Sequence, residues 1–199
     1  PYHVDLHALR LKKDKLLGMV KIGLPAGIQG CSFSISNVLI QSSVNSFGSI
    51  AMAASTAGGN IEGFVWTAMD AFTQSTLSFT GQNYGAKKFH RITKVVWYNL
   101  GLVTVVGLVL GIGAYLVGPW VLQVYSSDPE VIAYGLERML LVCTPYALCG
   151  VMNVLVGAMR GLGSSLTPMV VSIFGVCVLR VVWIYTVFPL DRTFLMLFL

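Results

Sequence analysis

The sequence predicts an all-α fold: a polytopic membrane helix bundle with about five complete transmembrane helices and the start of a sixth. Three observations carry this. Hydrophobic residues make up 55% of the chain and charged residues only 11%, with a mean hydropathy of +0.76, whereas a soluble domain carries about 25% charged residues. Charges vanish over long stretches: residues 22–61, 95–127 and 161–179 contain no Asp, Glu, Lys or Arg, and a hydrocarbon core takes about 20 apolar residues per helix. Finally, the basic residues gather at the ends of apolar runs, a pattern that sets topology and suits an anionic inner leaflet.

Taken in order, residues 1–21 read as a cytoplasmic basic lead-in, with Arg10, Lys12, Lys13, Lys15 and Lys21. Residues 22–199 form the transmembrane region. A first span is predicted near 22–44, with Pro25 close to its start, and a second near 50–79 after a short uncharged turn. Lys87, Lys88, Arg91 and Lys94 then make a second basic cluster. The third span is predicted near 95–116, with Gly118 and Pro119 breaking or bending its end. Asp128 before Pro129 has the form of a helix N-cap, since Pro is favoured at the first helical position. The fourth span is expected near 131–159 with Pro145 inside it, the fifth near 166–188, and a sixth begins near 193. Placing both basic clusters inside puts the Asp128/Glu130 loop outside, Arg160 inside and Asp191/Arg192 outside, an alternation that fits five crossings. The chain opens on Pro1 and closes within an apolar run, so it is expected to be part of a longer protein.

The second span has an unusual face. Thr56, Asn60, Gly63, Thr67, Asp70, Gln74 and Ser78 recur at spacings of three and four, which places them in one stripe about 80° wide on a helix. Polar groups are costly against lipid, so the stripe must meet other helices or a water-filled cavity. Because it includes an acid, the cavity is the reading we prefer. Gln29 and Asn37 of the first span suit the same lining, although both also suit hydrogen bonds between helices. The predicted substrate-cavity residues are therefore Gln29, Asn37, Asn60, Thr67 and Gln74.

Glu62 and Asp70 stand well inside the second span. An ionised acid at that depth is expensive and points to function by default. A group that alternately holds a proton and a cation suits such a place, so both are expected to serve cation coupling. They are eight residues apart, about 12 Å along a helix axis, and cannot share one proton directly. Arg180, toward the outer end of the fifth span, reads either as snorkelling to the interface or as a partner for an acid elsewhere. Trp66, Trp97, Trp120 and Trp183 read as interface anchors ahead of ligand-stacking groups.

Catalysis finds little support, and the chain is not expected to be an enzyme. His3, His7 and His90 lie outside the spans, so none can activate a serine within them. No Gly-rich phosphate loop with its Lys is present. Cys31, Cys143, Cys149 and Cys177 show no metal-ligand spacing with His and read as small buried residues. No metal site, cofactor or nucleic-acid partner is expected.

Three motifs resemble one family. The run Ile22-Gly23-Leu24-Pro25-Ala26-Gly27-Ile28-Gln29 resembles the opening of the seventh helix of multidrug and toxic compound extrusion (MATE) transporters. The run Ser78-Phe79-Thr80-Gly81-Gln82-Asn83-Tyr84-Gly85-Ala86 is similar to the end of their eighth helix and the loop after it. Gly157-Ala158-Met159-Arg160-Gly161-Leu162-Gly163 resembles the loop after the tenth. The resemblance implies two six-helix lobes around a central cavity, of which this chain would be the C-terminal one. It also implies a multi-pass protein of the cell inner (plasma) membrane whose partners are the bilayer, a missing N-terminal lobe and a small organic cation. Export would be driven by a Na+ or H+ gradient. One branch of the family has a Glu in the seventh helix and an Asp in the tenth; near those positions stand Phe33 and Cys149, so their roles are not carried over. Two other readings are a lipid-linked glycan flippase of the same superfamily, disfavoured by the few basic residues in the spans, and an inert truncated lobe.

Overall fold

The computed structural model describes residues 12–143 and 145–188. Residues 1–11 of the basic lead-in and the predicted sixth span lie outside the described residues. Within them the chain is helical and contains no strand. Helix α1 spans Lys13–Asn45, α2 Ser49–Gly85, α3 Phe89–Tyr125, α4 Pro129–Cys143 and α5 Tyr146–Gly161; α6 (Leu166–Ser172) runs through a π-helical stretch, Ile173–Val178, into α7 (Leu179–Thr186).

Helices α1, α2 and α3 run beyond the stretches 22–44, 50–79 and 95–116. α2 continues to Gly85 and α3 starts at Phe89, because polar residues at a membrane surface still form helix when nothing stops them. Two connections are built from local chemistry. After α5, the Ser164 N–H reaches the Met159 carbonyl (3.0 Å) and the Gly163 N–H the Arg160 carbonyl (2.9 Å). Gly163 supplies the left-handed φ of +87° that this closure needs. After α2 the same pair of bonds runs from Lys88 to Asn83 and from Lys87 to Tyr84, but the left-handed residue there is Lys87, at φ +56°.

Asp128 caps α4 as its position predicts, its Oδ1 accepting from the Glu130 N–H at 2.9 Å. Two prolines behave differently from one another. Of the break or bend predicted at Gly118 and Pro119, there is no break: α3 runs through both to Tyr125. Gly118 packs under Leu136 and Met139 of α4, which holds the last turns of α3 in place. At Pro145 the single predicted span divides into α4 and α5, which meet at 44°.

Among the described residues, three continuous helices are long and apolar enough to cross a membrane (α1, α3 and α6 through α7), and the bent α4–α5 pair passes the same test when taken as one span. At 37 residues, about 55 Å, α2 is long enough as well, but it is less apolar. The reason is its place: it packs against α3, α4 and α5 at once. Its buried face is built of small and mid-sized residues, among them Ala51, Ala54, Ala57, Gly58, Val65 and Met69.

The core lies among α2, α3, α4 and α5. Met69, Val103 and Val154 meet at one level, and Ala57, Val65, Leu122, Met139, Cys143 and Tyr146 at another. Glycines allow backbones to touch there. A Cβ at Gly157 would stand 2.7 Å from the Thr73 carbonyl oxygen, and one at Gly111 would stand 2.5 Å from that of Cys143. Helix α1 packs on the other side, against α6, the π-helical stretch and α7, and touches α2. Val44, Ala51 and Phe188 close that end, with Phe47 edge-on to Phe188 at 6.0 Å.

Candidate functional site

The polar stripe of α2 faces away from the core. Thr56, Asn60, Gly63, Thr67, Asp70, Gln74 and Ser78 are all exposed, while the buried residues of α2 occupy the opposite face. Thr56 and Thr67 turn their hydroxyls back to the carbonyls of Met52 and Gly63, each at 2.8 Å. Their polarity is thus largely satisfied within the helix. The stripe's remaining capacity to bind falls on Asn60, Asp70 and Gln74. The Gln74 amide approaches Asp70 Oδ2 only to 3.5 Å, which leaves the carboxylate open.

Glu62 has the opposite setting. It is 7% exposed, and its Oε2 accepts from Arg138 Nη2 of α4 at 2.8 Å. The second guanidinium nitrogen donates to both the carbonyl and the hydroxyl of Ser55. Gly58 and Gly59 leave the surface of α2 low enough for the Arg138 side chain to lie along it. Burying two charges is costly and is offset only when they are paired and hydrogen-bonded, as here. Glu62 Oε1 is buried with no hydrogen-bond partner among the described residues.

Two further arginines reach α1. Arg160, at the end of α5, donates from Nη2 to Gln29 Oε1 at 2.7 Å, and Gln29 is itself buried. Arg180 of α7 donates from Nη1 to Asn37 Oδ1 at 3.0 Å. Asp70 lies within electrostatic range of Arg160. Gln29 and Arg160 therefore join α1 to α5. Asn37 pairs with a different arginine, and Asn60 and Thr67 stay on the open face of α2. Trp66, Trp97 and Trp120 are exposed on the outside of the bundle. An apolar hollow of about 450 Å³ between α2 and α3 is lined by residues such as Ile61, Phe64 and Leu110, with none of these acids or arginines among them.

The reading of the sequence undercounted the cations. Arg138, Arg160 and Arg180 all place guanidinium groups against neighbouring helices. Arg138 was legible only as one of two adjacent charges, Glu137 and Arg138, in an otherwise apolar run. Arg180 has Asn37 of α1 as a hydrogen-bond partner.

Comparison with known proteins agrees with this architecture. The chain is 27% identical over 168 residues to a probable multidrug resistance protein, YoeA, of Bacillus subtilis (strain 168), a match covering 84% of this chain and 36% of the relative. It is 27% identical over 119 residues to the probable multidrug resistance protein NorM of Caulobacter vibrioides, covering 60% of this chain and 25% of that one. The chain thus spans about a third of the length of the curated relatives it matches. Among solved structures, a MATE in complex with MaL6 superposes with a TM-score of 0.86 at 16% identity, over 98% of this chain and 44% of that one. The Vibrio cholerae MATE transporter VcmN, solved as a point mutant, gives 0.82 at 20% identity, over 98% and 44%. The MatE family itself matches residues 25–186, most of the apolar bundle, and the chain therefore belongs to the MatE family of membrane transporters.

Proposed function

We propose that this chain forms one lobe of a cation-coupled antiporter of the cell inner membrane, exporting organic cations, drugs or metabolites against a Na+ or H+ gradient. The observation that carries the proposal is the open polar face of α2, with Asp70 at its centre. A stripe of this kind is stable in a bilayer only against water or other helices, and a second lobe facing it would enclose a wet cavity. Gln29, Asn37, Asn60, Thr67 and Gln74 are the lining residues on α1 and α2. The multidrug names of the relatives point to the same class of cargo.

Of the two acids, the geometry favours Asp70 for exchange of a proton or Na+. Its carboxylate is exposed, with Gln74 approaching it only to 3.5 Å. Glu62 is held by Arg138, so it takes part in coupling only if that pair opens. In the full-length transporter in proteoliposomes, Asp70→Asn is expected to abolish gradient-driven efflux of an organic cation dye. Glu62→Gln is expected to weaken it through the fold. Undiminished, still coupled efflux in Asp70→Asn would remove this assignment.

A further inference from the structure

Arg160 and Arg180 share a feature that Arg138 lacks: the side chains that hold them are neutral amides, Gln29 and Asn37. An amide fixes the direction of a guanidinium and leaves its charge uncancelled. Asp70 acts electrostatically on Arg160. Around Arg180 the titratable groups are the thiols Cys149 and Cys177, and no acid is paired with it among the described residues. A cation inside a membrane bundle with neutral surroundings is expensive and points to a role in binding. Arg180 is also within reach of a ligand. It is only partly covered, Asn37 beside it is exposed, and Asn37 takes one of the five N–H donors that a guanidinium carries.

The position adds to the argument. Gln29 and Asn37 are eight residues apart on α1, about 12 Å along its axis. The two arginines therefore mark two levels of one helix, with Asp70 near one level only. A ligand with a cationic group at the Asp70 level and an anionic group at the Arg180 level would match both.

We infer that Arg180 and Asn37 form a subsite for an anionic group, a carboxylate or phosphate, on the organic solute. The preferred cargo is then zwitterionic rather than purely cationic. Arg180 forms the charged hydrogen bonds, with the paired geometry that a guanidinium offers a carboxylate, and Asn37 holds the guanidinium in register. This rests on the cavity reading above and specifies its substrate class.

Rhodamine B and its ethyl ester test it, since they share one cationic ring system and differ in a free carboxylate. Equilibrium binding to the purified full-length transporter is measured without a gradient, so an absence of transport leaves the result interpretable. The acid is expected to bind about tenfold more tightly than the ester, equivalent to about 1.4 kcal/mol. In Arg180→Gln the ratio is expected to fall to about one, and in Arg180→Lys to lie between. Equal binding of acid and ester by the unaltered protein, no binding of the acid, or an unchanged ratio in Arg180→Gln would each overturn the inference. Failure of Arg180→Gln to fold leaves Arg180→Lys and Asn37→Leu as the deciding variants, and an unchanged ratio in both overturns it. The measurement is repeated in nanodiscs. Loss of the preference with anionic phosphatidylglycerol, but not in phosphatidylcholine alone, would assign Arg180 to a lipid headgroup and overturn the substrate assignment. Preserved preference in both supports it.

Discussion

Glu62 and Asp70 lie on the same helix, about 80° apart around its axis, in different surroundings: Glu62 is closed in against Arg138 of α4, and Asp70 stands open on the polar stripe. One helix thus carries an acid that ties it to a neighbouring helix and an acid left on its exposed face. The two acids should respond differently to the same loss of charge.

Removing one partner of the buried pair leaves the other uncompensated. Glu62→Gln or Arg138→Gln is expected to destabilise the folded bundle by about 3 kcal/mol. The double variant is expected to lose less than the sum of the two, because neither charge is then stranded. Thermal unfolding of the detergent-solubilised transporter measures this, and strict additivity would contradict the pairing.

The contact between α5 and α2 leaves no room for a side chain at Gly157. Gly157→Ala forces a methyl group toward the Thr73 carbonyl oxygen, and a loss of about 1–3 kcal/mol is expected. Gly113→Ala on α3 meets nothing within 4 Å and should be neutral or slightly stabilising, since Ala is the better helix former. Equal melting temperatures for the two variants would argue against the close approach of the helices.

The turn after α2 carries a lysine where its counterpart after α5 carries a glycine. A left-handed backbone costs a residue with a Cβ about 1 kcal/mol or more. Lys87→Gly is therefore expected to raise the melting temperature. Lys87→Ala removes the same charge and keeps the backbone strain, so it should not. A rise in both would trace the effect to charge instead.

Much of this fold is legible in the sequence because lipid makes simple demands. Charge-free runs mark helices, Asp128-Pro129 marks a helix start, and the three- and four-residue spacing of Thr56, Asn60, Thr67 and Asp70 marks one face. The partners across helices are not legible. Periodicity says which side of α2 is polar, but it does not say that Arg138, 76 residues from Glu62, will be rotated to meet it. Nor does it say that Arg160 and Arg180 will find Gln29 and Asn37 on α1. Those pairings depend on how whole helices are placed side by side. The continuation of α3 through Pro119 has the same origin: local rules predict a break, and packing against Leu136 and Met139 of α4 prevails.

The π-helical stretch Ile173–Val178 between α6 and α7 gives that helix slack in its numbering. A π turn closes its backbone bonds one residue later than an α turn, so it houses a residue that an α-helix would have no place for. Deleting a single residue within Ile173–Val178 would let the backbone run on as α-helix, with the segments on either side keeping their settings. Arg180 would still meet Asn37. The same deletion in α1, between Gln29 and Asn37, finds no such turn to absorb it, and everything beyond would swing round by about 100°. Arg160 and Arg180 could then no longer both find their amides. In a lineage of such chains, the α6–α7 rod is therefore where a one-residue gain or loss can pass without disturbing the contact between Arg180 and Asn37, while α1 must keep its count.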